Sequence, residues 1–462
     1  MVACGGPAFF LGRLLEGILV GRMPISPHPD PDGRFDRGHL LFVVGVSVGI
    51  LAFALKDRLL PSPSARDARL FIGVRDLAAE TFVEEVDSKE LLDDALRGMI
   101  DDLDRYSHYY DAEEISTLKR ETEGEFRGIG VVFRRPTHEG QVLFPFPGSP
   151  AERAGLRVGD VLSEIEGDLV SEMEPGGLQS RLQNPRRAEI EFLVRGLNGE
   201  VRRIVVRPEK IIDPTVRHVR LLDREPGIGY LAIVSFSHRT LEEFDEAMAL
   251  LSGHDLEALV LDLRGNPGGI LDAAVGIANR FLAEGDLVST RNRGGIQTIR
   301  ARPEQAYHEN LDLVLLVDEG SASASEVLAG ALQDHARAIL VGEKTFGKGT
   351  VQTLTPFDGD RAVVKLTTAC YFTPAWRRIE RNDSEDHGIT PDVLVELDPE
   401  HRAKVHEFLG SYSPPREVEP DIRAWEQAAG IDLIPEPPPD LQIETALGLI
   451  RGIRPGEDLA HQ

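Results

Sequence analysis

Three serines stand at alternate positions in Ser321-Ala-Ser323-Ala-Ser325, and downstream a lysine, Lys348, sits between Gly347 and Gly349. A hydroxyl becomes a nucleophile only when a base takes its proton. No histidine–aspartate arrangement of known spacing stands out among the 13 histidines. A lysine serves instead when burial disfavours its charged form and lowers its pKa, so the candidate chemistry is acyl transfer by a serine with an uncharged lysine. The apolar run 311–317 ahead of the serines has the length and composition of a buried strand, and Val327, Leu328, Ala331 and Leu332 behind them recur at helical spacing. The serines therefore fall on a sharp strand-to-helix turn, where unpaired N–H groups and the helix dipole favour negative charge. Taken alone, serines at a helix start most often cap it, and a glycine-flanked lysine is most often a solvated loop residue.

The surroundings raise the pair above that. Residues 258–263 form a strand pattern ending in Arg264-Gly-Asn-Pro-Gly268-Gly269; paired glycines at a strand's carboxyl end expose N–H groups without side-chain obstruction, which suits an oxyanion hole. With the strand 228–236 and the helix 241–251, the chain from residue 211 onward alternates strands and helices, the pattern of an α/β core. Residues 66–123 read as a helical domain, with Leu70, Val74 and Leu77, then Leu91, Leu92, Ala95 and Met99, at spacings of three and four. Residues 124–209 switch to short strands: Gly128-Ile129-Gly130 turns into one, Ser149-Pro150 starts a short helix, and Leu197-Asn-Gly199 joins two more.

At 462 residues the chain has room for two or three domains, and its net charge of −26 repels phosphate backbones, so nucleic acid is not expected as a partner. Two cysteines, Cys4 and Cys370, make neither a disulfide framework nor a zinc site. Residues 40–55 carry no charge, are flanked by charged residues, and lead into a Pro/Ser-rich linker. They read as a membrane anchor or signal segment rather than a core helix, and the polar leader before them suits an uncleaved anchor.

Gly128-Ile129-Gly130 together with Gly148-Ser-Pro-Ala-Glu-Arg-Ala-Gly-Leu-Arg-Val-Gly-Asp-Val-Leu162 resembles a PDZ domain. That implies capture of a peptide C-terminus, its carboxylate on the N–H groups of Gly128, Ile129 and Gly130 and its chain added as a strand. The larger constellation resembles the carboxy-terminal processing peptidases, or tail-specific proteases, from about Arg69 to Val395. It comprises Gly98-Met-Ile-Asp-Asp-Leu-Asp-Arg-Tyr-Ser-His-Tyr-Tyr110, the PDZ motif, Asp262-Leu-Arg-Gly-Asn-Pro-Gly-Gly269, Ser321-Ala-Ser-Ala-Ser-Glu326, Gly342-Glu-Lys-Thr-Phe-Gly-Lys-Gly-Thr-Val-Gln352 and Leu366-Thr-Thr-Ala-Cys-Tyr-Phe-Thr-Pro374. The resemblance implies Ser323 as nucleophile, Lys348 as general base and Gln352 as the residue that orients the lysine. Oxyanion donors would be the N–H of Ala324 and that of Gly268 or Gly269. No metal or cofactor is implied.

The implied fold is an α/β protease core of the crotonase type within an α+β multidomain chain. The divisions are a polar leader 1–39, an anchor or signal segment 40–60, the helical domain 66–123, the PDZ domain 124–209, the core 210–400, a charged Pro-rich insertion 401–439 expected to be flexible, and a C-terminal helix 440–462. The partners implied are proteins or peptides with apolar C-termini, a membrane through residues 40–55, and room for a homo-oligomer. The location implied is the bacterial cell envelope, with the catalytic part outside the cytoplasm. Departures from the family pattern are Arg105 where proline is usual, Ala375-Trp376 for a small Ser-Gly pair, and Gln183-Asn-Pro-Arg-Arg187 for a Gly-Pro turn; none falls on the serine–lysine pair.

Three rivals are weaker. Gly342-Glu-Lys-Thr-Phe-Gly-Lys348 nearly spells a P-loop of a nucleotide hydrolase, but Gly349 stands where Ser or Thr would bind magnesium, and the residues after it alternate like a strand. A non-catalytic PDZ scaffold with a decayed core is opposed by intact Ser323, Lys348 and Gln352. An acyl-CoA enzyme of the crotonase type is opposed by the PDZ insertion and the serine–lysine pair.

Overall fold

The computed structural model describes residues 63–452 except 113, 116–117, 119–124, 135–139, 175, 183–187, 226, 358, 360, 382–386 and 435. The apolar segment 40–55 lies outside the described residues, and no helix among them is long and apolar enough to cross a membrane. The chain divides after Leu92 into two units. In the first, helix α1 (Pro63–Thr81) buries none of its residues. Helix α2 (Ser88–Asp101) leads into the second unit, which holds everything described below.

Strands β1 (His108–Tyr110), β2 (Glu125–Gly128), β3 (Val131–Phe133) and β4 (Val142–Pro145) come first. The short helix α3 (Pro150–Arg153) is started by Ser149, whose side chain accepts the Glu152 N–H, with proline at the first helical position. Strands β5 (Val161–Ile165) and β6 (Asp168–Leu169), helix α4 (Gly177–Leu182), and strands β7 (Ile190–Arg195), β8 (Val201–Val206) and β9 (Glu209–Ile212) complete this part. It contains a four-stranded sheet in the order β6-β5-β7-β8 and the pairs β2–β9 and β3–β4. The pattern in β7 alternates buried and less buried positions, so Ile190, Phe192 and Val194 enter one apolar cluster with Ile129, Val142, Leu162 and Leu182.

The core is built on a six-stranded sheet in the order β10 (Val216–Arg224), β11 (Gly227–Ile233), β12 (Leu256–Asp262), β15 (Asp312–Val317), β16 (Ile339–Gly342), β19 (Val393–Leu394). All its pairs are parallel except β10–β11. Helices α5 (Thr240–Ser252), α6 (Leu271–Phe281) and α7 (Ala324–Asp334) share one apolar cluster with one set of strand residues, among them Leu259, Leu261 and Leu315. The alternate residues Ala258, Val260 and Val314 pack with Val405, Phe408 and Ala446 of helices α8 (Pro399–Gly410) and α10 (Leu441–Ile450). Strands covered on both faces by helices read as continuous apolar runs, which is why 228–236, 258–263 and 311–317 were visible in the sequence. A second, antiparallel sheet has the order β1-β18-β13-β14, with β13 (Asp286–Asn292), β14 (Gly295–Arg300), β17 (Thr350–Phe357) and β18 (Ala362–Phe372), and β17 also pairs with β18. Lys348 is thus followed by a strand, not the helix a P-loop requires.

The stretch 401–439, expected to be flexible, carries helices and buried apolar side chains among its described residues. It holds most of α8 and all of helix α9 (Glu419–Ala429), and Ile422, Trp425 and Leu433 bury themselves against Leu143 and Phe144 of β4. Its prolines and charges mask these few large apolar side chains, which supply enough buried area to order the segment.

Candidate active site

Strand β15 ends at Val317, and the chain turns sharply into α7. Asp318, buried at the turn, accepts N–H groups from Gly265 at 2.8 Å and Gly320 at 2.9 Å on one carboxylate oxygen, tying the turn to the loop after β12. The three serines divide their work. Ser321 Oγ donates to the Leu263 carbonyl at 2.8 Å and Ser325 Oγ to the Asn266 carbonyl at 3.0 Å. Both flanking serines therefore fasten the turn to that neighbouring loop. Ser323 stands at the N-cap of α7 with φ 55° and ψ −111°. This is a strained conformation for a residue with a Cβ, and Ser323 remains 8% exposed.

Gly268 has no room for a side chain: a Cβ there would lie 2.8 Å from Ser323 Cβ and 2.7 Å from the Ala322 carbonyl oxygen. At Gly269 a Cβ would lie 2.0 Å from the Phe236 carbonyl oxygen. The glycine pair thus permits the two loops to meet. The Gly268 N–H is occupied by Asn266 Oδ1 at 2.9 Å. The N–H groups of Gly269 and Ala324 have no acceptor among the described residues. Of the two glycines left open by the sequence, Gly269 is the one with a donor to spare.

Glu326 joins the serine to the lysine. It is fully buried, and its Oε2 accepts the Ser323 N–H and the Lys348 N–H, each at 2.8 Å. Its Oε1 accepts the Gly347 N–H at 2.7 Å and the Thr345 hydroxyl at 2.6 Å. Burial pushes the Glu326 carboxyl above its ordinary pKa against these four bonds, which pull it down. The serines of this motif do not by themselves point to Glu326; the signal for its role is the Ser-x-x-Glu spacing from Ser323, a capping box whose glutamate reaches back to the N-cap N–H.

Lys348 is half-buried, and its Nζ has neither a hydrogen bond nor an ion pair among the described residues. Burial, and next the charge of Lys365 on β18, hold its pKa below the ordinary value of 10.5, while Glu326 and Glu380 oppose the shift. Gln352, on β17, is not bonded to Lys348. Its Nε2 donates to Thr350 Oγ1 at 2.9 Å and lies 3.4 Å from Thr367 Oγ1. Arg105 comes closer to this site than the sequence indicated. It pairs with Glu380 at 3.8 Å, and Glu380 Oε2 accepts the N–H of Gly349, the neighbour of Lys348, at 2.7 Å. Trp376 adopts φ 61°, a backbone conformation that suits glycine, at a position where the resemblance calls for a small residue.

The second predicted site lies on the turn between β2 and β3. Ile129 and Gly130 use their carbonyls to accept the N–H groups of Ala151 and Phe146, each at 2.9 Å, while their own N–H groups have no acceptor among the described residues. Gly128 sits at the end of β2 and pairs with Glu209. Next to the turn opens a cavity of about 780 Å³ between β3, helix α4 and the C-terminal region, lined by Ile129, Phe133 and Leu182 on one side and by Phe408, Tyr412 and Leu433 on the other.

Residues 227–395 match Peptidase family S41, and residues 146–207 match the PDZ domain. The chain is 32% identical to a carboxy-terminal-processing protease of Bartonella bacilliformis, over 80% of this chain and 85% of that protein. It is 35% identical to a carboxyl-terminal-processing protease of Synechocystis, over 65% of this chain and 70% of that one. Among solved structures, it is similar to a photosystem II D1 C-terminal processing protease at 30% identity, with a TM-score of 0.42, covering 75% of this chain and 98% of that one.

Proposed function

The chain belongs to peptidase family S41, the carboxy-terminal processing serine proteases with a PDZ domain, and from that premise we propose that Ser323 and Lys348 form its catalytic dyad and that it cuts proteins it holds by their C-terminal tails. The observation that carries this reading is the shared carboxylate oxygen of Glu326: one acceptor holds the backbone of the strained serine and of the half-buried, unpaired lysine at 2.8 Å each.

With a peptide bound, the uncharged Lys348 amine takes the Ser323 hydroxyl proton as the Oγ attacks the peptide carbonyl. The oxygen that becomes negative is received by the N–H groups of Ala324 and Gly269, fixed before the reaction begins. The protonated lysine returns its proton to the departing amine, an acyl-serine remains, and water, activated by the same lysine, releases it. Gln352 acts at one remove, holding Thr350 and Thr367 rather than the amine itself. The tail's carboxylate sits on the N–H groups of Ile129 and Gly130, its chain extends along β3, and the apolar lining by Ile129, Phe133 and Leu182 suits an apolar last residue.

The test is cleavage of an unstructured protein with an apolar C-terminus by the full-length chain. Ser323→Ala and Lys348→Ala each abolish it; retention of activity by either overturns the dyad. The uncharged, charge-flanked run 40–55 supports a location of the catalytic part outside the cytoplasmic membrane. External protease added to intact cells with a permeable outer layer would then digest it, and protection until the inner membrane is broken would refute this.

A further inference from the structure

The loop between α2 and β1 comes from a part of the sequence remote from the serine and the lysine, yet it is fastened beside them. The Asp104 carboxylate accepts the N–H groups of Tyr106 at 2.7 Å and Ser107 at 2.8 Å, and the hydroxyl of Thr367, on β18, at 3.2 Å. Ser107 Oγ accepts the Thr367 N–H at 3.1 Å. On the other side Arg105 reaches Glu380, which holds Gly349. Between these anchors stands Tyr106, with Lys348 Nζ 5.2 Å from the centroid of its ring. The Tyr106 hydroxyl is buried and has no hydrogen-bond partner among the described residues. A buried hydroxyl left without a partner is costly. The ring's packing, not a bond of the hydroxyl, therefore keeps the residue in place.

We propose that Tyr106 is a positioning residue for Lys348, its ring forming the wall that keeps water from the amine and so keeps the lysine ready to act as a base. The inference rests on the reading of Lys348 as the base of Ser323. The charged and titratable groups that act on the amine are Glu326 from α7, Lys365 from β18, Glu380 from the loop after β18, and Tyr106 from this loop, with Arg105 paired to Glu380 and lying over the Tyr106 ring. A tyrosine ring has two opposed effects on such an amine. Its face attracts the ammonium and favours the proton. Its bulk displaces water and disfavours the proton. The ring already carries a second cation, the Arg105 guanidinium 4.8 Å from its centroid, so its attraction is not spent on the amine alone, whereas desolvation is the first cause holding the lysine below its ordinary pKa. Removing the ring therefore lets the amine hold its proton more tightly.

The experiment follows the rate at which an alkyl fluorophosphonate labels Ser323 in the full-length protein across pH, a readout that needs no knowledge of the natural substrate. For the wild type the rate rises with pH as Lys348 loses its proton. Tyr106→Ala moves the midpoint of that rise upward by about one pH unit, lowering the rate on the acid side about tenfold, and Tyr106→Phe leaves the midpoint where it was. Tyr106→Leu, which keeps an apolar side chain in place, shifts it by less and serves if the alanine variant does not fold. The proposal is overturned if folded Ala and Leu variants keep the wild-type midpoint, or if Phe shifts it as far as Ala does, which would assign the effect to the hydroxyl. A wild type that is not labelled, or a Ser323→Ala protein labelled equally well, defeats instead the serine–lysine reading on which this one stands.

Discussion

The Gly268-Gly269 loop and the Gly128-Ile129-Gly130 turn both present N–H groups that have no acceptor among the described residues, in the one case Gly269 with Ala324, in the other Ile129 with Gly130. Their supports differ. The first lies where two parallel strands of the main sheet end, pinned by Asp318, Ser321, Ser325 and Asn266 and set against a strained serine. The second lies in a smaller set of antiparallel strands and borders a cavity that Ile129, Phe133 and Leu182 line on one side and charged residues such as Lys404 and Glu407 on the other. Backbone donors alone suit an anion of either kind. A rigid frame and an adjacent hydroxyl favour a transient charge, and an open groove favours a stable carboxylate.

This contrast is broken most severely at the serine. Ser323→Ala lowers kcat by on the order of 10⁴-fold or more while leaving binding of a tail peptide unchanged, measurable by fluorescence anisotropy with a labelled peptide. Glu326→Ala comes next, because it orphans the N–H groups of Ser323, Gly347 and Lys348 and the Thr345 hydroxyl. With each abandoned buried donor costing about 1–3 kcal/mol, both stability and activity collapse, and thermal unfolding shows the first. Gly268→Ala drives a Cβ to 2.8 Å from Ser323 Cβ. It lowers kcat on the order of 100-fold with tail affinity intact.

Gly130→Ala does the reverse. Its Cβ would meet Ser149 Cβ at 2.5 Å at a φ of 72°, so tail binding weakens about tenfold or more while labelling of Ser323 by a small probe is unaffected. A Gly130→Ala protein equally impaired toward the small probe would show that the two sites are not separable. The smallest effect belongs to Lys365. Its charge helps hold Lys348 below the ordinary lysine pKa, and the proposed dyad works through the uncharged amine, so kcat/KM rises with pH through that pKa. Lys365→Met raises the pKa and moves the rise to higher pH by a few tenths of a unit.

Much of the protease site was legible in the chain because its constraints are local. A serine on a strand-to-helix turn, glycines at a strand end and a capping-box glutamate lie within short windows whose backbone conformations only a few residue types tolerate. Gln352 shows where that ended: its position in a motif suggested contact with the lysine, but a register shift in the β17–β18 pair between Val351 and Gln352 accompanies a side chain bonded to Thr350 and Thr367. Residues 401–439 show the opposite failure. A composition of prolines and charges said little about Ile422, Trp425 and Leu433, which order the stretch by packing against β4.

By itself the sequence determined the strands and helices of the core, the order of its motifs and the identity of the residues able to do the chemistry, since periodicity and backbone tolerance are written residue by residue. Only the tertiary structure decided which of two glycines has an N–H to spare, that one buried carboxylate holds the backbone of both serine and lysine, and that a tyrosine more than two hundred residues away in the chain stands 5.2 Å from the amine. Hydrogen-bond partners and access to water depend on what the rest of the fold brings alongside, and no local window contains that information.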